Sequence, residues 1–279
     1  MQQDTPTRPT VEPARLEPPP QVAFGRPSLL RRAVWLCMPV TTFVVLLAAW
    51  AAFVKVFRVP AYVLPDPRDV LVRLVTDWRP ILDNTQSTLV EILAGMAIAI
   101  VTAIPLGLVI ALSATMRRTL YPLLVFIQLI PKIAVAPLFL VWFGFGMESK
   151  ILLTALMSWF PILQASISGF QMLEVRWLYL TRSMGASGWQ TFRYLRFPGA
   201  LPVVFSGLKT ASAFATTAAV VAEFLGSNRG LGYQLLYASG VLDTPLIFAV
   251  LVVLTVIGLL LNYLIEAIEY FATPWRRSS

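Results

Sequence analysis

Apolar residues come in long runs along most of this chain. Six such runs, near 33–54, 87–112, 120–145, 150–172, 201–222 and 244–269, stand out. Each meets the requirement of about 20 apolar residues for a helix crossing a hydrocarbon core of about 30 Å. Open strands cannot cross lipid, because their backbone groups go unpaired. The pattern predicts an all-α, polytopic membrane bundle of about six transmembrane helices. The first run follows Arg31 and Arg32 and contains Ala49-Trp50-Ala51, which fits a signal cleavage site. From Ala33 to Val54 it exceeds the roughly 7–15 apolar residues of a signal peptide, so it is read as a retained span.

Ahead of it, residues 1–28 mix proline with both signs of charge (PARLEPPPQ). That composition cannot bury a core and predicts a disordered tail, leaving 29–279 as the transmembrane domain. Basic residues then set the orientation. Arg26, Arg31, Arg32, Arg117, Arg118, Arg176, Arg182, Arg193, Arg196, Arg276 and Arg277 fall on the side of the tail. Lys55, Arg58, Arg68, Arg73, Arg79, Lys150 and Arg229 fall on the other. The positive-inside bias places both termini in the cytoplasm. Between the first two spans, LPDPRDVLVRLVTDW offers Asp66 as an N-cap and Pro67 as the first helical residue. Val70, Leu71, Leu74, Val75 and Trp78 recur at helical spacing, predicting an amphipathic helix on the outer face. It is either a lid packed on the bundle or a docking surface for an external partner.

Composition narrows the function. Charged residues make up 13% of the chain, against about 25% in soluble domains, and mean hydropathy is +0.74. The net charge of +8 is read as topology signals and contacts to anionic membrane lipids, with no nucleic-acid partner. There is no histidine, which excludes histidine metal sites and histidine acid–base chemistry. The single cysteine, Cys37, excludes an internal disulfide. No G-x-x-x-x-G-K-[ST] is present; the nearest fragment, Ser206-Gly207-Leu208-Lys209-Thr210, lacks the Gly-Lys pair. Neither G-x-S-x-G nor H-E-x-x-H occurs, and the spans show no paired carboxylates. No catalytic residue, metal or cofactor is assigned to this chain, and transport leads over membrane-embedded hydrolysis.

One polar stretch interrupts the apolar pattern, SMGASGWQTFRYLRFPGALP from Ser183 to Pro202. Gly185 sits where a preceding helix should stop, able to take positive φ. Ser187 and Gln190 match a capping box, predicting a short helix from Gly188 to about Arg196 that Pro198 ends by restricting Phe197. Trp189, Phe192 and Leu195 share one side and Gln190 and Arg193 another. The element is either an interfacial helix with snorkelling arginines or a knob shown to a partner.

This pattern resembles the cytoplasmic loop of bacterial ABC importer permeases, whose motif is E-A-A-x3-G-x9-I-x-L-P. Gly185 and Leu195-Arg196-Phe197-Pro198 match its second half. The Glu-Ala-Ala positions hold Tyr179, Leu180 and Thr181, and Glu174 comes five residues too early. PKIAVAPLFLVWFG from Pro131, Gly185-Ala186-Ser187 and EFLGSNRGLG from Glu223 are similar to the nitrate/sulfonate/taurine permease subfamily. That subfamily also includes uptake systems for thiamine-pyrimidine precursors and riboflavin. The resemblance covers roughly residues 60–270 and implies a type I ABC importer permease bundle in the bacterial inner membrane. It further implies a homodimeric pore and an external solute-binding protein. Gly185, Ala186, Ser187, Trp189, Gln190, Phe192, Arg193 and Pro198 would then couple it to separate ATPase subunits that hold ATP and Mg.

Candidate pathway residues follow. Lys132 lies twelve residues into the run from Leu120, about 18 Å along a helix and near mid-bilayer, where lysine costs about 2.5–3.5 kcal/mol. Such residues usually face a bundle interior or a water-filled cavity. Pro131 and Pro137 flank it, predicting a broken or kinked helix. Lys132 either faces the solute or caps freed carbonyls. ASAFATTAA, from Ala211 to Ala219, allows close helix packing, and the family resemblance places it at the pore. Glu223 is either an interfacial acid paired with Arg229 or part of an outer gate. An ion-coupled secondary transporter is the rival class; it calls for inverted repeats, and none is evident.

Overall fold

The structure, a computed structural model, describes residues 29–173 and 175–275. The expected tail over 1–28, together with Glu174, Arg276 and Arg277, lies outside the described residues. Packing divides the chain into two units, Met1–Ala49 and Trp50–Ser279. Helix α1 (Leu29–Val56) runs through both. In the first unit the side chains of Met38 and of residues 40–49 are exposed, a mostly apolar surface suited to lipid.

In the second unit every element among the described residues is helical. After the end of α1 come α2 (Pro67–Thr76), α3 (Trp78–Leu112), α4 (Ala114–Gln128), α5 (Lys132–Phe143) and α6 (Met147–Gln171). They are followed by α7 (Val175–Ser183), α8 (Gly188–Thr191), a π-helical turn (Phe192–Arg196), α9 (Phe197–Gly226), α10 (Leu231–Gly240) and α11 (Thr244–Ala272). Four helices are individually long and apolar enough to cross a membrane: α3, α6, the run Gly188–Gly226, and α11. The pair α4–α5, bent by 91°, makes a fifth if taken as one broken span; Val40–Val56 is a shorter apolar helix.

Helix α6 is the centre of the bundle, with α3 against one side and α9 against the other. Small residues set those distances. A Cβ on Gly95 or Gly107 of α3 would lie 2.7 Å from Thr154 Cβ or 2.5 Å from Ser166 Cβ of α6. On the other side, a Cβ on Gly207 of α9 would lie 2.2 Å from Ala165 Cβ. Ala211, Ala215, Ala218 and Ala219 are fully buried, so the alanine-rich stretch of α9 is a packing face, as its composition suggested. Without a hydrophobic drive between helices in lipid, such close approach supplies the association energy. Gly207→Val should therefore destabilise the bundle by about 1–3 kcal/mol through overpacking. The fall in melting temperature in detergent measures it, and adding Ala165→Gly should recover part of the loss.

Helix α2 forms as its sequence predicts. The Asp66 carboxylate accepts from the Arg68 N–H at 2.9 Å and Pro67 opens the helix. Val70 is buried and Leu74 packs on the core, while Leu71, Val75 and Trp78 are exposed. Arg73 bonds Asp77 at 3.0 Å and pairs with Asp243, whose other oxygen caps α11 by accepting from Leu246 N–H at 3.3 Å. These contacts tie α2 to the head of α11.

Candidate functional site

The stretch from Ser183 to Pro202 forms one end of the bundle. Helix α7 closes in a Schellman turn. The Ala186 N–H donates to Thr181 O and the Gly185 N–H to Arg182 O, both at 3.0 Å, and Gly185 has φ +73°. The capping box is complete, with Ser187 Oγ accepting from Gln190 N–H at 3.2 Å and Gln190 Oε1 accepting from Ser187 N–H at 2.7 Å. Beyond it the structure departs from expectation, because Pro198 ends nothing. Phe197 is helical, with φ −64° and ψ −52°, and the chain runs as one 39-residue helix from Gly188 to Gly226. The π-helical turn explains this. The Phe197 N–H bonds Phe192 O, five residues back, and the widened turn relieves the clash of the Pro198 ring with the preceding carbonyl. The aromatics also separate. Phe192 packs inward between Phe170 and Phe197, with ring centroids at 6.3 and 6.0 Å. Trp189 stacks on Phe192 at 5.6 Å and stays 66% exposed.

The break expected near Lys132 falls at Pro131, the N-cap of α5, whereas Pro137 sits inside α5 without ending it. Lys132 is the first residue of α5. Its ammonium lies 4.6 Å from the Phe160 ring centroid, level with the middle of α6. A cation at a helix N-terminus opposes the helix dipole, and the aromatic face offsets that by a cation–π contact. Gly144, at φ +78°, closes α5.

Glu223 is fully buried and does not pair with Arg229, which is exposed. Its carboxylate accepts from the Thr88 hydroxyl at 2.6 Å and from the Gly232 N–H. Thr88 Oγ1 accepts in turn from Leu231 N–H at 2.9 Å, and Asn84 Oδ1 accepts from Gly230 N–H at 2.7 Å. Gly230 has φ +107°, and a Cβ there would lie 2.1 Å from Glu223 Oε1. Glycine is thus required both by backbone and by space. Beside Glu223 lies a second buried carboxylate, Glu91. Lys150 Nζ is 2.7 Å from Glu91 Oε1 and donates to Ser227 Oγ at 2.9 Å. Two expectations are corrected here. Lys150 is a buried residue of α6 and no loop cation, and the spans do hold neighbouring carboxylates. Glu91 and Glu223 stand far apart in sequence, and only the packing of α3 against α9 brings them together. Lys132 and Glu223 are not brought into contact. Among the described residues no group of three or more His, Cys, Asp or Glu could hold a metal.

A family model described as the binding-protein-dependent transport system inner membrane component matches residues 103–278. The chain belongs to that family. It is also 38% identical over 256 residues to the riboflavin transport system permease protein of Chloroflexus aurantiacus, covering 89% of this chain and 94% of that protein. With the taurine transport system permease protein of Escherichia coli it shares 30% identity over 245 residues, 85% and 89% of the two chains. In fold it resembles the MetNI methionine ABC transporter in inward-facing conformations, with a TM-score of 0.60 at 18% identity over 71% of this chain and 98% of that one.

For this inner membrane component, the residues passed over in the sequence are Thr88, Glu91 and Lys150. Glu91 carried a signal, an acid inside an apolar run, since such residues are expensive in a span and rarely incidental. Lys150 carried none, because a lysine at the edge of an apolar run is what a loop anchor looks like.

Proposed function

We propose that two copies of this chain form the translocation pathway of an importer in the bacterial cytoplasmic membrane, with both termini inside. Its solute is a small molecule of the sulfonate, taurine or nitrate type, delivered by an external solute-binding protein. ATP and Mg bind on separate ATPase subunits, and this chain carries no cofactor of its own. The coupling surface is built from Gly185, Ala186, Ser187, Trp189, Gln190, Phe192, Arg193 and Pro198. Pro131 and Lys132 at the bend, with Pro137 inside α5, line the pathway, and Glu223 holds its far end.

The observation that carries this reading is the continuity of Gly188–Gly226. Its 39 residues span about 58 Å at 1.5 Å each, against a hydrocarbon core of about 30 Å. The Trp189 end therefore extends past the lipid, while the far half packs on α6 and α11 inside the bundle. Movement of an ATPase against Trp189 is passed along one helix to the bundle, without a loop to absorb it. ATP binding draws the two Trp189 ends together and opens the bundle outward, and hydrolysis resets it, a two-state scheme that needs such a rigid link. The identity to the riboflavin permease supports a second reading in which the same machinery carries riboflavin. In proteoliposomes with its ATPase and binding protein, the chain should take up taurine only when ATP is supplied to the ATPases. Uptake by the chain alone on a proton or sodium gradient overturns the reading.

A further inference from the structure

Two cavities lie in line along the seam between α9 and α11, and one side chain belongs to both. The first, about 580 Å³, has Ser212, Thr216, Thr217, Thr255 and Asn262 in its wall. The second, about 650 Å³, lies toward the Trp189 end and is walled by residues that include Pro198, Pro202, Ser206 and Glu269. Lys209 lines both. Its ammonium is 2.8 Å from the Glu269 carboxylate, so an ion pair joins α9 to α11 where the cavities meet. Among the described residues Lys209 is the one charged side chain on the wall of the first cavity.

The hydroxyls of that wall are already committed as donors. Thr216 donates to Ser212 O at 3.0 Å, Thr217 to Ala213 O at 3.1 Å and Thr255 to Leu251 O at 2.8 Å. What they present to the cavity is acceptor lone pairs. The donors in the wall are the Lys209 ammonium and the Asn262 carboxamide. Thr216 stands seven residues from Lys209 along α9, about 10 Å. A solute lying along the cavity thus meets a cation at one end and acceptor oxygens at the other.

We propose that Lys209 binds the negative group of the transported solute and that Glu269 is its placeholder between solutes. The ion pair of Lys209 with Glu269 holds α9 to α11. An anion entering the first cavity takes the ammonium from Glu269, and the seam opens toward the second cavity. The exchange keeps Lys209 paired throughout, which matters because an unpaired ammonium inside a span is costly. Glu269 lies three residues before the end of α11 at Ala272. The solute class is a small organic anion whose other end donates hydrogen bonds. This rests on the transport function proposed above and names the chemistry of its solute.

The test is ATP-driven uptake by the complete transporter in proteoliposomes, with taurine, methanesulfonate and riboflavin as probes. Lys209→Met should lower taurine uptake about ten- to hundredfold, the worth of a charge-assisted hydrogen bond, and Lys209→Arg should retain most of it. The paired exchange of Lys209→Glu with Glu269→Lys restores an ion pair and keeps the melting temperature, so it separates the two roles. Loss of taurine uptake in the folded exchange variant supports solute binding by Lys209. Full uptake in that variant, or in Lys209→Met, overturns it and leaves a structural ion pair. Riboflavin uptake by the wild type without uptake of either sulfonate overturns the anion assignment while the importer reading stands. Absence of ATP-driven uptake of any probe sinks the importer reading itself.

Discussion

Lys150→Met is expected to destabilise the permease by about 3–5 kcal/mol, the cost of stripping the partner from a buried charge. Glu91 is fully buried, its carboxylate is 2.7 Å from the Lys150 ammonium, and Lys150 itself is only 6% exposed. Removing the ammonium leaves a fully buried carboxylate without its countercharge at the junction of α3, α6 and α9. It also strips Ser227 of its Lys150 contact, loosening the loop that positions Gly230 and Gly232 around Glu223. The measurement is the melting temperature of purified protein in detergent, with yield from membranes as a second readout. Glu91→Leu combined with Lys150→Met should recover most of the loss, because replacing both members of a buried pair by apolar groups is often close to neutral. A single variant as stable as the wild type would mean that the pair holds nothing together.

The second large effect is expected at the other end of the molecule. Trp189→Ala should weaken association with the ATPase subunit at least about 30-fold, the range of an interfacial tryptophan that contributes 2 kcal/mol or more. The melting temperature of the isolated permease should stay unchanged, because Trp189 is 66% exposed and stacks on Phe192 at its own end of the helix. Phe192→Ala should behave differently. Phe192 sits among Trp189, Phe170 and Phe197, so its loss should lower the melting temperature as well as ATPase association. Binding to immobilised ATPase, with thermal unfolding in parallel, separates the two. Equal behaviour of the two variants would remove the distinction between anchor and contact.

The local signals were the ones most faithfully legible. Asp66 and Pro67 start α2, Gly185 takes positive φ, and Ser187 with Gln190 closes a capping box, each as its side chain and neighbours dictate. These depend on hydrogen bonds within a few residues, so the sequence window contains all the participants. Pro198 shows where such reasoning stops. Proline disfavours a helical residue before it, yet Phe197 is helical because a π-helical turn one step earlier changes the hydrogen-bond register. That turn is favoured by Phe192 seating against Phe170 of α6, a contact no local window includes.

Long apolar runs, few charges and the missing histidines settle from the sequence alone that this is an all-helical membrane protein without histidine chemistry, because hydrophobicity and composition are sums over residues. The pairing of Glu91 with Lys150, the enclosure of Glu223 by Thr88 and Gly232, and the ion pair of Lys209 with Glu269 were decided only by tertiary structure. Each joins different helices, and a charge within a span reveals that it needs a partner without revealing which helix will supply it.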